Sequence, residues 1–215
     1  MPNQHRVLTE SQRVFFKQLG FTRTRGLYLA GGTALALQIQ HRRSVDFDFY
    51  TSAHFRKGTL PRLFRSHLPA QKFKVVRDDN DTFELNATPD LHLSCFYYGY
   101  PLLNPPHRIQ EVLVAGLKDI AAMKMIAIAQ RGKRRDFVDL YYLLQRFSLK
   151  EILRFTHEKY SHFDIYHGLR GLLYFEDADH DPTIERSMVF DRSLTWLKVK
   201  RHIVNAVKEF QKAAA

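Results

Sequence analysis

Two aspartates separated by one residue, Asp46 and Asp48, are the side chains of this sequence best suited to hold a divalent cation. They lie in a run of strictly alternating apolar and acidic residues, which predicts a strand. Both aspartates then share one face, and the other face turns three apolar residues towards a core: Val45, Phe47 and Phe49. Two carboxylates on one face repel each other, and solvent, a raised pKa or a bound cation relieves the repulsion. The pair is therefore a candidate metal site.

A pair of glycines, Gly31 and Gly32, follows the short apolar run 27–30 and precedes a predicted helix over 33–40. Glycine lets backbone N–H groups approach an anion closely, and the N-terminus of the following helix adds the positive end of its dipole. Thr33 either caps this helix or contacts a ligand. The glycine pair is therefore a candidate phosphate-binding turn.

A basic turn carrying Arg42, Arg43 and Ser44 joins the predicted helix to the strand with the aspartates. The Ser44 hydroxyl can donate to a phosphate oxygen, and Arg42 or Arg43 can balance its negative charge. Strand, Gly-Gly turn, helix and Asp-x-Asp strand place an anion-binding turn beside a metal-binding edge. Nucleotidyl transfer requires this arrangement.

Two blocks of the sequence resemble the polymerase-β-type nucleotidyltransferases and, within them, the AbiEii/AbiGii toxin family of type IV toxin–antitoxin systems. The first block contains GGTALAL and HRRSVDFDF, and the second covers residues 119–140. The resemblance extends to roughly Tyr160. It implies active-site roles for Lys124, an isolated cation on an apolar helix, and for Asp136 at the start of the next helix. Asp139 is interpreted as a structural or supporting acid.

The resemblance implies an Mg²⁺-dependent enzyme that transfers a nucleotide from an NTP to an acceptor hydroxyl. Family members further imply a toxin that adds nucleotides to the 3′ end of tRNA and is restrained by a cognate antitoxin. The expected catalytic residues are Asp46, Asp48, Ser44, Lys124 and Asp136, with Mg²⁺ on Asp46 and Asp48. The NTP is expected to contact Gly31, Gly32, Thr33, Arg42 and Arg43.

The sequence departs from the polymerase-β pattern at the third carboxylate, which in active enzymes usually lies on a later strand. The corresponding stretch, 92–97, contains no acid, and Asp90 lies only at its mouth. Many toxin-family members carry a similar Ser-Phe-Phe type of strand. A non-catalytic NTP- or RNA-binding module, and transfer to a protein or small molecule, stay open as alternatives. A pure protein-interaction domain leaves the Gly-Gly and Asp-x-Asp arrangement unexplained.

Composition favours a polyanionic partner. The 215 residues are 45% apolar, enough for a core, and carry a formal net charge of +11 with a larger excess in the first half. Lys and Arg gain affinity for nucleic acid by releasing its counterions, although a basic surface also serves solubility alone. The single cysteine, Cys95, excludes an internal disulfide and is interpreted as a buried small residue. Without a signal peptide or an apolar span, the expected location is the cytoplasm, away from membranes.

The predicted fold class is α+β, with a polymerase-β-like lobe over residues 1–107 and a helical lobe over 108–215 that completes the active site. The first lobe contains a small mixed sheet, with strands predicted at 73–76, 82–87 and 91–98. The Pro-rich segment 101–107 marks the boundary, and everything after it is predicted to be helical.

Overall fold

The structure, a computed structural model, describes residues 4–69, 73–87, 91–181 and 189–214. The chain forms two compact units, Met1–Ala115 and Gly116–Ala215. This division lies beyond the predicted boundary after residue 107, because residues 107–114 form a hairpin that joins the sheet of the first unit. The prediction that everything after the Pro-rich segment is helical was wrong for these residues. The two strands of this hairpin are only three residues long, which is too short for an alternation of apolar and polar residues to be detected in the sequence.

The first unit contains a mixed seven-stranded sheet in the order β3-β4-β5-β2-β1-β7-β6. β2 runs antiparallel to β1 and parallel to β5, and β1 runs parallel to β7. The predicted α+β class is confirmed, with more strands than expected. The strands are β1 (Tyr28–Ala30), β2 (Asp46–Thr51), β3 (Lys74–Asp79), β4 (Thr82–Ala87), β5 (Leu91–Tyr97), β6 (His107–Ile109) and β7 (Val112–Val114).

Helices pack against one face of this sheet. Rings of α2 and α4 contact rings of the strands, with centroids 5.7 Å apart for Phe16 and Phe47 and 5.2 Å apart for Phe64 and Phe83. Phe47 and Phe49 are fully buried, as the alternation predicts, whereas Val45 precedes the strand and is only half-buried. The helical elements are α1 (Gln4–Val7), α2 (Glu10–Phe16), a 3₁₀ helix (Leu19–Arg25), α3 (Gly31–Ile39) and α4 (Thr59–His67).

The acidic turn between β3 and β4 holds the loop that follows β2. Asp78 accepts from the Gly58 N–H, and Asn80 accepts from the Lys57 N–H. Asp81 accepts from the Phe55 N–H at 3.0 Å and lies 2.7 Å from His54 Nδ1. These side chains are thus used as hydrogen-bond acceptors within the fold.

Asp81 gives this turn a pH dependence. The hydrogen bond with His54, and then that with the Phe55 N–H, lower the pKa of Asp81 below its ordinary value of 3.8. A carboxyl whose folded pKa is depressed stabilises the protein above its unfolded pKa, and this contribution is lost as pH falls through the folded pKa. We expect Asp81→Asn, which suits the positive φ of this position, to lower stability at pH 6 and to differ less from wild type near pH 3. Urea unfolding at both pH values measures this difference, and a difference independent of pH would contradict the assignment.

The second unit is helical over its described residues apart from short connections. α5 (Leu117–Arg131) is rich in alanine and methionine, and it ends at Gly132, whose φ of +40° suits a glycine C-cap. α5 packs against α6, α7 and α8, and α10 packs against the same three helices. The helices are α5 (Leu117–Arg131), α6 (Arg134–Leu144), α7 (Leu149–Lys159), α8 (Ile165–Leu173), α9 (Glu176–Asp179) and α10 (Trp196–Ala214).

A buried ion pair links α5 to α7 inside this unit. Lys159 Nζ lies 2.8 Å from Asp119 Oδ1, and both side chains are 0% exposed. By contrast, Lys200 and Asp179 form a pair, 3.0 Å apart, that is partly open to solvent. In the part of the chain that the structure describes, no helix is both long and apolar enough to cross a membrane.

Candidate active site

The glycine turn, defined as Gly31 and Gly32, directly follows β1 and forms the first two residues of α3, beside the aspartate strand. Gly31 has φ +68°, a conformation that favours glycine. A Cβ at this position would lie 3.3 Å from Asp48 Oδ2. The first turn of α3, with its unpaired N–H groups and positive dipole end, therefore begins next to one of the two carboxylates. The anion-binding and cation-binding elements predicted from the sequence are adjacent within the first unit.

Arg42 lies directly against the glycine turn. A Cβ on Gly32 would be 2.3 Å from Arg42 Nη2 and 3.4 Å from Ser44 Oγ. The Arg42 side chain is only 2% exposed, and its Nη1 donates to the Arg43 carbonyl at 3.0 Å. The absence of a side chain at Gly32 thus makes room for a buried guanidinium. This places a positive charge within the protein beside the turn, where it favours a negatively charged ligand.

We expect Gly32→Ala to disturb this arrangement. The added methyl group forces Arg42 to move in a region where burial leaves little space, so the free energy of unfolding should fall by about 1–3 kcal/mol and NTP affinity should fall with it. Gly116→Ala is the control, because a Cβ there meets nothing within 4 Å and φ is −69°. Its stability should stay within about 1 kcal/mol of wild type. Urea unfolding and binding of a fluorescent NTP measure both effects, and equal results for the two variants would contradict the prediction.

Hydrogen bonds from the surrounding elements position the aspartate strand. The Thr33 hydroxyl donates to the Asp46 carbonyl, so Thr33 ties α3 to β2 instead of capping the helix. Gln12, buried on α2, donates through Nε2 to the Ser44 carbonyl at 3.3 Å and to the Val45 carbonyl at 2.9 Å. Gln12 was missed by the sequence analysis, although the T-x-x-Q capping box that begins at Thr9 is a detectable signal.

The two aspartates lie on what we call the carboxylate face, the sheet face opposite the phenylalanine core. Strand register places Ser94 of β5 next to Asp48, and Glu84 of β4 next to Ser94. Two strand spacings, about 10 Å of backbone separation, lie between Glu84 and Asp48, so Glu84 does not adjoin the aspartate pair. Glu84 instead lies 3.6 Å from His92 Nε2. The stretch 92–97 contributes no third carboxylate, and Asp90 lies outside the described residues.

The residues present fit a magnesium ion that is completed by its substrate. Mg²⁺ in nucleotide sites is held by one or two carboxylates, with phosphate oxygens and water filling its other positions. Asp46 and Asp48 are half-buried carboxylates on the same face, next to the glycine turn. Across the residues that the structure describes, no group of three or more His, Cys, Asp or Glu side chains could hold a metal ion. A site made of protein ligands alone is thus not found there.

Cys95 lies on the opposite side of β5 from Ser94 and is fully buried. Burial, and then the negative charge of Asp48, raise the pKa of the Cys95 thiol well above its ordinary value. The thiol therefore stays protonated at neutral pH and has no thiolate to act as a nucleophile. The interpretation of Cys95 as a buried small residue is confirmed.

The second unit contains Lys124 in a cluster with two acids. Its ammonium lies 2.6 Å from Asp136 Oδ1 and 2.6 Å from Asp139 Oδ2, and all three side chains are at most 8% exposed. Asp139, expected only to support the site, contacts Lys124 as closely as Asp136 does. Asp136 Oδ2 is buried without a hydrogen-bond partner among the described residues. This oxygen is an acceptor that the described protein groups leave unused.

The predicted site residues thus form two groups. The structure brings together those of the first unit: Gly31, Gly32, Thr33, Arg42, Arg43, Ser44, Asp46 and Asp48. Lys124 and Asp136 belong to the second unit, where each contacts the other.

Comparisons of the sequence with known proteins show its family. The family described as "Nucleotidyl transferase AbiEii toxin, Type IV TA system" matches residues 97–214, more than half of the chain. An uncharacterised protein of Aquifex aeolicus is 36% identical over 190 residues, which cover 85% of this chain and 87% of that protein. The family match includes the Lys124 cluster, while the Aquifex match extends over most of the chain.

Two solved structures share the fold. The Helicobacter pylori protein JHP933 superposes with a TM-score of 0.59 at 17% identity, covering 97% of this chain and 96% of that one. MenT4, a nucleotidyltransferase toxin of Mycobacterium tuberculosis, superposes with a TM-score of 0.59 at 16% identity, covering 91% and 82%. The resemblance read from the sequence is confirmed, and this chain belongs to the AbiEii family of nucleotidyltransferase toxins of type IV toxin–antitoxin systems.

Proposed function

We propose that this nucleotidyltransferase uses Mg²⁺ to transfer a nucleotide from an NTP to the 3′-terminal hydroxyl of an RNA, with tRNA as the acceptor. The toxic effect then follows from RNA ends that can no longer be used, and a cognate antitoxin restrains it. The observation that carries the proposal is the contact between the glycine turn and Asp48, where a Cβ on Gly31 would lie 3.3 Å from the carboxylate.

The transfer forms a bond from the acceptor oxygen to the α-phosphorus and breaks the bond from that phosphorus to the bridging oxygen of the β-phosphate. Pyrophosphate leaves, and water takes up the hydroxyl proton. Asp46 and Asp48 would hold Mg²⁺, which when bound neutralises charge on the phosphates. The N–H groups at Gly31 and Gly32 and the Ser44 hydroxyl donate to phosphate oxygens.

The arginines of the basic turn supply positive charge to the same region. Arg42 does so from a buried position against Gly32, at a place where solvent screens it little. Arg43 is half-buried, and its Nε has no hydrogen-bond partner among the described residues. We therefore assign Arg42 to positioning the glycine turn and Arg43 to direct contact with a phosphate.

We propose that Lys124 and Asp136 also serve the transfer. Lys124 lies between the carboxylates of Asp136 and Asp139 in a buried place, and a buried ionic cluster adds little to stability. Asp136 is suited to accept from a ribose or base of the nucleotide through its second oxygen. Lys124 holds Asp136 in that orientation.

The choice of RNA as acceptor rests on charge. The net charge of +11 favours a polyanion and disfavours a cationic small molecule. Basic side chains are also open to solvent on α4, the helix that follows β2 in sequence, where Arg62 and Arg65 are exposed.

The test is incorporation of each of the four radiolabelled NTPs into total RNA by the purified protein, with and without Mg²⁺. We expect label in the tRNA band that depends on Mg²⁺. If protein or a small molecule is labelled and RNA is not, RNA is not the acceptor, while the protein is still an active nucleotidyltransferase. Nucleotide binding without incorporation into any acceptor would support the alternative of a non-catalytic NTP- or RNA-binding module.

A further inference from the structure

Beyond the carboxylates, the same face of the sheet carries a run of aromatic rings. Tyr50 follows Asp48 by two residues on β2, so its ring lies on the carboxylate face about 7 Å further along the strand. Strand register places Phe96 of β5 beside Tyr50, as it places Ser94 beside Asp48. The face thus changes from acidic to aromatic within one step of the pleat.

The rings contact one another in a continuous series. Ring centroids are 5.9 Å apart for Tyr50 and Phe96, 5.1 Å apart for Tyr50 and Tyr98, and 5.1 Å apart for Tyr98 and Tyr100. Tyr28 of β1 also contacts this series. Its ring centroid lies 6.1 Å from that of Tyr50, and the residue is buried. We call the four outer rings, Tyr50, Phe96, Tyr98 and Tyr100, the aromatic platform.

The platform is open to solvent in a way that core aromatics of this unit are not. Tyr100 is 48% exposed, and the other three rings are half-buried, whereas Phe47 and Phe49 on the opposite face are fully buried. Rings that are held by neighbours and still present area to solvent suit a flat ligand, because stacking on them costs little side-chain freedom.

The order of groups along β2 identifies the ligand. The glycine turn lies at the Asp46 and Asp48 end, since the Thr33 hydroxyl contacts the Asp46 carbonyl and Gly31 adjoins Asp48. Tyr50 lies on the other side of Asp48. In phosphoryl and nucleotidyl transfer the attacking and leaving oxygens are roughly in line through phosphorus. With pyrophosphate leaving on the glycine turn, the attacking hydroxyl approaches from the side of the platform.

We propose that the aromatic platform binds the acceptor RNA by stacking on its 3′-terminal base, which positions the terminal ribose hydroxyl at the aspartate pair. The inference rests on the proposed RNA transfer and adds a subsite for the acceptor. Stacking accepts any base, so the platform selects a free single-stranded end over a base-paired one, whose terminal base is already stacked and paired.

The test compares Tyr98→Ala and Tyr100→Ala with Tyr98→Phe and Tyr100→Phe, which keep the ring. The acceptor is a short oligoribonucleotide ending in 2-aminopurine, whose fluorescence falls on stacking, beside a matched oligonucleotide that lacks the terminal base. Tyr166→Ala, at an exposed tyrosine of α8 in the second unit, is the control for loss of a surface ring. Circular dichroism establishes that each variant is folded.

We expect each alanine variant to raise the KM for the oligonucleotide by roughly 5- to 100-fold, with the KM for NTP unchanged. The phenylalanine and Tyr166 variants should keep wild-type KM values. Fluorescence quenching should be present in wild type and lost in the alanine variants. With the oligonucleotide that lacks the terminal base, all variants should have the same KM.

Three results would overturn the platform: a raised KM for NTP in place of RNA, unchanged constants for both substrates, or an equal effect on the acceptor without the terminal base. Quenching measures binding and needs no turnover. If wild type transfers nothing to RNA, the proposed function fails, while quenching that depends on Tyr98 and Tyr100 still supports the stacking subsite. Absence of quenching in a wild type that labels RNA overturns the subsite alone.

Discussion

Replacing either aspartate of β2 with asparagine, Asp46→Asn or Asp48→Asn, should reduce the transfer rate by about 10³-fold or more. Each substitution keeps the size of the side chain and removes one of the two charges available to Mg²⁺. A metal ion stabilises the charge of such a transition state by several kcal/mol, and about 4 kcal/mol corresponds to three factors of ten in rate. Single-turnover incorporation of labelled NTP into RNA measures the loss.

Glu84→Gln is the matched control for charge on the same face of the sheet. Glu84 lies two strands from Asp48 and contacts His92 and Arg77. Its neutralisation should leave the rate within about threefold of wild type, because Glu84 does not adjoin the aspartate pair. An asparagine variant with wild-type activity would show that the aspartate pair does not hold the metal. An equal loss in Glu84→Gln would show that general charge on the face is what matters.

The largest stability effect should come from Lys159→Met in the second unit. The substitution preserves apolar packing and leaves the Asp119 carboxylate, 0% exposed, without its ammonium partner. Removing one member of a buried ion pair costs about 3–5 kcal/mol, because the other charge stays in a medium that solvates it poorly. Urea unfolding followed by circular dichroism should show this as a lower transition midpoint.

Two further variants separate charge burial from packing. Lys200→Met removes the same charge from the partly exposed pair with Asp179 and should cost less than about 1 kcal/mol. The double variant Asp119→Leu with Lys159→Met removes both buried charges and should recover most of the lost stability. A single Lys159→Met variant as stable as Lys200→Met would mean that the buried pair does not stabilise the helical unit.

The alternation around Asp46 and Asp48 was sufficient to predict their strand, their common face and the buried rings opposite them. The Gly-Gly pair predicted the helix N-terminus, since few other residues permit both a positive φ and close approach. These features are local. Their contacts lie within a few residues or follow from the period of a regular element.

Features that depend on pairing between distant segments were not predictable. The position of Ser94 beside Asp48, and of Tyr50 within a series of rings, follows from strand register, which no single segment determines. The buried position of Arg42 depends on the space that Gly32 leaves, and the equal contacts of Asp136 and Asp139 with Lys124 depend on how α5 packs against α6. In each case two separate parts of the chain define the environment.

The burial of Arg42 affects how the two substrates respond to salt. Charges on the surface are screened within about 10 Å at 0.1 M ionic strength, and an RNA acceptor held by such charges would be displaced as counterions return. A guanidinium enclosed beside the glycine turn is shielded from those ions by the protein itself. Under the proposed function, rising ionic strength should therefore release the RNA acceptor before the NTP.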